Sequence, residues 1–193
     1  MNGIKKYFSI AIICLLAACS GKEIGLLKTK TRFATTSPQS QRTLYLSLAE
    51  DIPTGFRIND PAERNSLFGG RSQIRVTNWR KSLSGALKKA MGAGFKEVVA
   101  VKKEEAGLVN LRVSEATLLS FSGSERVLQL RYRARLYRGD DLFIEVDDTL
   151  SPHLGRLNMK ETLQSLVEQM ALDIYAKIFD NKQTRAVLAD IAR

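Results

Sequence analysis

Apolar and polar residues alternate in several stretches of the chain, and each alternating stretch predicts a β-strand. In residues 43–48 every second residue is a leucine, so one face of a half-buried strand is apolar. Residues 73–76 show a shorter pattern of the same kind, and a further strand is predicted at residues 95–101, directly after the glycines at positions 92 and 94. Between the strands at 43–48 and 73–76, residues 50–71 contain prolines and glycines and show no hydrophobic periodicity, which predicts a long loop. Its apolar side chains either pack on the core or form a flap that faces a partner, and they are Ile52, Phe56, Ile58, Leu67 and Phe68.

The longest alternation predicts a meander of three antiparallel strands at residues 109–114, 128–136 and 144–150. Turn-forming residues at 122–125 and 138–141 connect these strands. Because a slip of one residue would move every side chain to the opposite face, the pattern also predicts the register of the meander.

Loop length sets the register of each hairpin. We predict a two-residue loop at 123–124 and a three-residue loop at 139–141, because these lengths keep the apolar side chains on one face. The core face then pairs Leu111 with Leu136 and Val113 with Ala134. The outward face forms two rows, Arg112–Arg135–Glu145 and Ser114–Arg133–Asp147. Opposed charges in such rows contribute roughly 0.2–1 kcal/mol each.

Apolar residues at helical spacing predict two amphipathic helices. The first is capped by Thr77 or Asn78 and ends near residue 93. The second begins at Asn158, whose spacing to Glu161 is that of a capping box, and it ends near residue 180. The first helix carries a basic face, and such a helix either packs on the core or lies on a membrane surface. The basic residues of that face are Arg80, Lys81, Lys88 and Lys89.

These elements predict an α+β fold with the element order β-α-β-β-β-β-α. Two amphipathic helices pack on one face of an antiparallel sheet of four to five strands, and the pattern leaves open which face they cover. The domain spans residues 43–180, and residues 181–193 form a C-terminal tail.

The N-terminus has the features of a bacterial secretion signal. Lys5 and Lys6 precede an apolar run of about ten residues, which is too short to span a bilayer. The run ends in Leu-Ala-Ala-Cys at residues 16–19, which resembles a lipobox. The resemblance implies that residues 1–18 are removed and that Cys19 receives acyl chains, which together anchor a protein firmly. An uncleaved membrane anchor, or an ordinary signal peptide that is cut elsewhere, is the alternative.

Residues 19–42 are predicted to form the lipidated N-terminus and a flexible tether, because they are polar and lack a period. In lipoproteins of Gram-negative bacteria, an aspartate after the acylated cysteine usually signals retention at the inner membrane. Ser20 occupies that position here. The resemblance therefore favours the outer membrane, with the domain facing the periplasm.

The composition argues against an enzyme. Of the two cysteines, Cys14 lies in the signal peptide and Cys19 is the acylation site, so the mature chain has no thiol for a disulfide, a nucleophile or a metal. The single histidine, His153, lies in a loop, and no Cys/His pair or zinc cluster can form around it. We therefore expect no catalytic residue, no metal and no cofactor.

The chain is basic, with a net charge of +10 that falls to about +8 when Lys5 and Lys6 are removed. A basic domain binds nucleic acid, anionic lipid or acidic proteins, and a secretion signal argues against nucleic acid. The candidate binding surface is the outward sheet face, where the predicted register leaves some arginines without an acid. We call its four residues the arginine row, and they are Arg112, Arg131, Arg133 and Arg135. The alternative is a solvated face whose charges are balanced by the acidic strand.

The layout of residues 43–179 resembles that of small accessory outer-membrane lipoproteins, and the lipobox is the specific motif of the resemblance. These proteins include the lipopolysaccharide-assembly lipoprotein (LptE-like), the auxiliary lipoproteins of ABC-type lipid transporters (PqiC-like) and the YajG-like lipoproteins. The resemblance implies a non-enzymatic accessory subunit that docks on an envelope transport or assembly machine through a sheet edge or a loop. The alternative is a carrier that holds an anionic lipid or glycolipid against the arginine row.

Overall fold

The computed structural model describes residues 22–26, 40–59, 73–104, 106–122, 126–151 and 159–190. These residues form eight strands and three helices. The strands are β1 (Lys22–Gly25), β2 (Ser40–Leu48), β3 (Phe56–Asn59), β4 (Gln73–Thr77), β5 (Phe95–Ala100), β6 (Val109–Ser122), β7 (Arg126–Arg138) and β8 (Asp141–Leu150). The helices are α1 (Trp79–Met91), α2 (Met159–Asp180) and α3 (Lys182–Asp190).

Five of the strands form a mixed sheet in the order β5-β2-β6-β7-β8. β6, β7 and β8 are antiparallel neighbours, which confirms the predicted meander. β2 is parallel to both β5 and β6, so the α+β class is confirmed but the fully antiparallel sheet is wrong. Parallel neighbours need a long connection, and α1 lies within the one that joins β2 to β5.

A second sheet has the strand order β1-β4-β3, and β1 is parallel to β4. β1 and the first three residues of β2 lie in the predicted tether, so the structure corrects that prediction for residues 22–26 and 40–42. β1 is too short to show a period, yet Ile24 and Leu26 are only 6% and 5% exposed and belong to the hydrophobic core. The part of the predicted tether at residues 27–39 lies outside the described residues.

The third strand of this sheet, β3, lies in the predicted loop at residues 50–71, so a loop without regular structure is wrong there. Ile52 and Ile58 are buried, and Phe56 packs against the core. These contacts confirm that this part of the segment packs down on the core. The two remaining apolar residues of the predicted loop lie outside the described residues.

The first hairpin of the meander has the predicted core pairs but a different loop. Ser122 pairs with Arg126, so three residues rather than two connect β6 to β7. Ser114 is then an extra residue in β6, and this bulge restores the predicted pairing of Val113 with Ala134.

The second hairpin shows the opposite deviation. Arg138 pairs with Asp141, so two residues rather than three connect β7 to β8, and the first of them, Gly139, has a positive φ of 57°. Phe143 is an extra residue in β8. The bulge restores the register beyond it, so the predicted outward pairs of β7 and β8 are confirmed.

The helices cover the core face of the five-stranded sheet, where α1 packs on β2 and β5 and α2 packs on β7 and β8. Asn78, one of the two predicted alternatives, is the N-cap residue of α1, but it has a φ of 60° and its side chain makes no capping hydrogen bond. The backbone N–H of Trp79 instead donates to the carbonyl oxygen of Thr54 at 2.9 Å. The predicted cap of α2, Asn158, lies outside the described residues, and α2 ends at Asp180 as predicted.

The predicted C-terminal tail contributes to the folded domain. α3 occupies most of it and contacts α2 and β8. Leu188 of this helix is buried in the core. The domain therefore extends at both ends beyond its predicted limits of 43 and 180.

Candidate functional site

The arginine row lies on the face of the five-stranded sheet that points away from α1 and α2, because its residues alternate with the buried residues of β6 and β7. The predicted row of Arg112, Arg135 and Glu145 is confirmed by the pairing of the three strands. Arg135 Nη2 lies 2.9 Å from Glu145 Oε1, and Arg133 forms an ion pair with Asp147.

Two arginines of the row lacked an acid in the predicted register, and the structure corrects this. Glu104, in the turn before β6, forms an ion pair with Arg112. The bulge in β6 puts Glu115, rather than Ser114, opposite β7, and Arg131 Nε lies 3.7 Å from Glu115 Oε1. Four carboxylates thus accompany four arginines. The pairs are exposed, so each contributes little to stability, and together they leave this face with little net charge.

A different surface is strongly basic. A groove of about 1210 Å³ opens between the three-stranded sheet, α1 and the ends of β2 and β5, and we call it the basic groove. Leu46, Leu48 and Val76 contribute apolar lining, and Glu50 is the single carboxylate among its described lining residues. The cationic lining residues are Arg57, Arg75, Arg80, Lys81, Lys88 and Lys102.

Two of these cations lie side by side on adjacent strands of the three-stranded sheet. Arg57 on β3 and Arg75 on β4 are directly opposed, and both are exposed. Neither makes an ion pair with another described residue, although Glu23 on β1 is the next neighbour of Arg75 in the same row. Like charges in directly opposed positions destabilise a sheet. The pair therefore lowers the stability of the sheet unless an anion lies between the two guanidinium groups.

Arg80 stabilises the wall of the basic groove through hydrogen bonds to backbone carbonyl groups. Its Nη2 donates a hydrogen bond to the carbonyl oxygen of Leu48 at 2.7 Å, and its Nη1 donates to those of Ala49 at 2.7 Å and Ile52 at 3.0 Å. These bonds fix the chain that leaves β2 against the first turn of α1. The guanidinium group thereby holds one side of the basic groove in place.

Gly85 keeps the middle of the groove open. It lies inside α1, where a glycine costs about 1 kcal/mol relative to alanine. A Cβ atom at this position would meet no atom within 4 Å, so packing within the chain does not require the glycine. Lys81 and Lys88, which are four and three residues away, flank the gap on the same helix face.

A separate cluster of titratable groups joins α2 to the five-stranded sheet. Tyr132 of β7 is fully buried, and its hydroxyl donates a hydrogen bond to Asp173 Oδ2 of α2. Lys177 Nζ lies 2.7 Å from the same carboxylate oxygen and also pairs with Asp148 of β8. The cluster therefore connects three elements around one buried phenol.

The electrostatics of this cluster keep Tyr132, Lys177 and Asp148 in their ordinary charge states. Burial raises the pKa of Tyr132, and the hydrogen bond to Asp173 acts in the same direction. Burial disfavours the ammonium group of Lys177, but its bonds to Asp148 and Asp173 outweigh burial and raise its pKa. The bond from Lys177 is also the main reason that the pKa of Asp148 is lowered. The cluster thus holds α2 on the sheet, and the raised pKa values of Tyr132 and Lys177 do not activate either group as a nucleophile or base.

The remaining sequence-predicted positions, Cys19 and His153, lie outside the described residues. Within the part of the chain that the structure describes, no helix has the length and apolar character needed to cross a bilayer. The same residues include no group of three or more His, Cys, Asp or Glu side chains that could hold a metal ion.

Sequence reasoning identified the basic face of α1 but missed the basic groove. The missing half is supplied by Arg57 and Arg75, which lie in two short strands. Each arginine stands between two apolar residues in the sequence, and this local alternation was the available signal. Nothing in the sequence shows that the two strands pair and put the arginines opposite each other.

Comparison with solved structures identifies the fold. A protein from Xanthomonas campestris of the DUF330 family superposes with a TM-score of 0.56 and 11% sequence identity, covering 80% of this chain and 92% of that protein. This chain has the same fold. At so low an identity, the similarity concerns the fold alone.

Two further similar structures are of bacterial lipoproteins. Rare lipoprotein B from Shewanella oneidensis has a TM-score of 0.41 and 10% identity, covering 79% of this chain and 100% of that one. A minor lipoprotein from Acinetobacter baumannii has a TM-score of 0.36 and 16% identity, covering 77% of this chain and 91% of that one. Both scores are too low to carry an argument about this chain. No protein-family model and no curated protein sequence matches the chain.

Proposed function

We propose that this protein is a lipid-anchored accessory subunit of a cell-envelope transport or assembly machine. Acyl chains on Cys19 provide the anchor, and Ser20 favours the outer membrane. The domain binds and positions a partner and does not transform a substrate. The observation that carries the proposal is the position of β1, which begins directly after the lipobox.

The spacing between anchor and domain is short. Ser20 and Gly21 alone separate Cys19 from Lys22, the first residue of β1, and a peptide of this length spans at most about 11 Å. β1 pairs with β4 along its length and buries Ile24 in the core. An acylated Cys19 therefore holds the folded domain against the membrane surface.

A short anchor suits an accessory subunit. Fixing a domain beside the membrane raises its effective concentration at a membrane-embedded partner and limits the orientations in which the two meet. β8 is an outermost strand of the five-stranded sheet and is the longest edge strand of the two described sheets. Its outer edge pairs with no other described strand, and its backbone groups could accept a strand from such a partner.

A carrier of anionic lipid or glycolipid is the second candidate function. The arginine row gives it little support, because carboxylates accompany all four arginines. The basic groove supports it better, because its lining contains six cationic side chains and a single carboxylate among the described residues.

The proposal is tested by producing the full chain with a C-terminal tag in a Gram-negative host. We expect the purified protein to begin at Cys19, to carry the mass of its acyl chains, and to crosslink in cells to one envelope membrane protein. Cys19→Ala should abolish acylation and greatly reduce the crosslink. Mass spectrometry measures the first result, and crosslinking followed by mass spectrometry measures the second.

The matched control is Ser20→Ala, which leaves the acylated cysteine in place and should retain the crosslink. Two results would contradict the proposal. One is an unacylated, freely diffusing protein. The other is an acylated protein that crosslinks to no membrane protein, or equally well with and without Cys19.

A further inference from the structure

We propose that the basic groove binds the phosphate-bearing headgroup of an anionic lipid in the same leaflet that holds the acyl chains of Cys19. The inference rests on the lipid anchor of the proposed function and adds a ligand and a site to it. The charge, the position and the shape of the groove each support it.

The charge of the groove fits an anionic group. Arg57 and Arg75 lie side by side on neighbouring strands about 5 Å apart, and no described acid pairs with either. Lys81 and Lys88 line the opposite wall on α1. Arginine forms bidentate hydrogen bonds with phosphate, and a phosphate between the two guanidinium groups would remove their mutual repulsion. Among the described residues, Glu50 lines the groove and Glu23 is the register neighbour of Arg75, so these two carboxylates are outnumbered by six cationic lining residues.

The position of the groove fits a membrane ligand. Glu23 is four residues from Cys19 and is the register neighbour of Arg75. Chain length and strand spacing put the Cα of Arg75 within about 19 Å of the Cα of Cys19, and that of Arg57 within about 24 Å. The headgroups of the leaflet that carries the acyl chains are therefore within reach of the groove.

The shape of the groove also fits a ligand. Gly85 leaves a gap between Lys81 and Lys88 that no atom of the described chain fills. Gly85 makes the helix less stable than an alanine would, and no packing contact within the described chain requires the glycine. A ligand that approaches the helix closely explains why a side chain is missing at this position.

The experiment measures vesicle binding by the mature chain with Cys19→Ser, which keeps every described strand and helix but lacks acyl chains. Vesicles of phosphatidylcholine alone are compared with vesicles that also contain phosphatidylglycerol. We expect binding to the anionic vesicles only. Because one Lys or Arg near an anionic surface contributes about a factor of five, Arg57→Gln with Arg75→Gln should weaken binding about thirtyfold.

The matched control is Arg131→Gln with Arg133→Gln in the arginine row, which changes the net charge by the same amount. We expect this variant to bind within about twofold of the unaltered chain. If both double variants lose affinity equally, attraction depends on net charge alone, and the proposal is overturned. If the arginine-row variant alone loses affinity, the outward sheet face is the site, and the proposal is likewise overturned.

Shape is tested at Gly85. Gly85→Trp should fill the groove and reduce binding at least tenfold. Gly85→Ala adds only a methyl group, so it should weaken binding by much less and should raise the unfolding temperature. Unchanged binding by the folded tryptophan variant contradicts the proposal, and circular dichroism checks the fold of each variant.

Displacement by millimolar inorganic phosphate at constant ionic strength would assign the groove to free phosphate instead of lipid. An unacylated native protein would contradict the proposed function, whereas these vesicle results test the groove alone.

Discussion

Trp79→Ala is expected to lower the free energy of unfolding by about 3–5 kcal/mol. The side chain has no exposed surface, and it is the first residue of α1. Its ring packs edge-on against Phe56 of β3 with the centroids 5.1 Å apart, and its Nε1 donates to the carbonyl oxygen of Ala116 in β6 at 3.3 Å. The substitution therefore leaves a cavity where both sheets meet the helix and removes a hydrogen bond to the carbonyl oxygen of Ala116.

The measurement is denaturant unfolding followed by circular dichroism, because Trp79 is the only tryptophan and its fluorescence is lost in the variant. Leu142→Ala provides the control, since Leu142 is 54% exposed and its truncation should change stability by no more than about 0.5 kcal/mol. A loss below about 1 kcal/mol for Trp79→Ala would contradict the described packing.

Ile24→Asp is expected to destabilise the protein by about 2–5 kcal/mol, because it removes a buried side chain and puts a carboxylate in its place. Ile24 is 6% exposed and pairs in register with Val76, which is fully buried. The substitution should also speed hydrogen exchange at the backbone amides of β4, since β1 covers one of its edges.

The effect of Ile24→Asp depends on whether residues 22–25 form a strand of the folded domain or part of a flexible tether. Residues in a flexible tether tolerate a charge. If Ile24→Asp changed the free energy of unfolding by less than about 0.5 kcal/mol and left hydrogen exchange in β4 unchanged, residues 22–26 would be a tether, and the short distance between anchor and domain would be contradicted. Glu23→Gln is the control on the same strand. Its side chain is exposed and makes no ion pair with a described residue, so it should be nearly neutral.

The sequence predicts the register of the meander better than its loops. The pairs of Val113 with Ala134 and of Arg135 with Glu145 are both present. Each hairpin loop is one residue away from its predicted length, and a bulge at Ser114 or Phe143 compensates. The apolar alternation determines which side chains must face the core, whereas the position of the extra residue depends on local geometry that the pattern does not contain.

The parts that the sequence does not predict depend on contacts between distant segments. β1 and β3 have four residues each, too few to show a period, and they are strands because β4 pairs with both. The parallel position of β2 likewise depends on its neighbours β5 and β6. The groove needs Arg57, Arg75 and the polar face of α1 to be brought together. Glu115 joins the arginine row only because of the bulge.

The central claim is that the basic groove faces the membrane that carries the anchor. It is tested with acylated protein in vesicles that contain a nickel-chelating headgroup lipid, using one nitroxide label at a time. The mature chain has no other free cysteine, so Thr54→Cys in the groove wall and Thr117→Cys on the outward sheet face each give a single label. We expect the nickel headgroups to relax the label at position 54 strongly and the label at position 117 weakly. Equal relaxation at the two positions, or stronger relaxation at position 117, would contradict the claim.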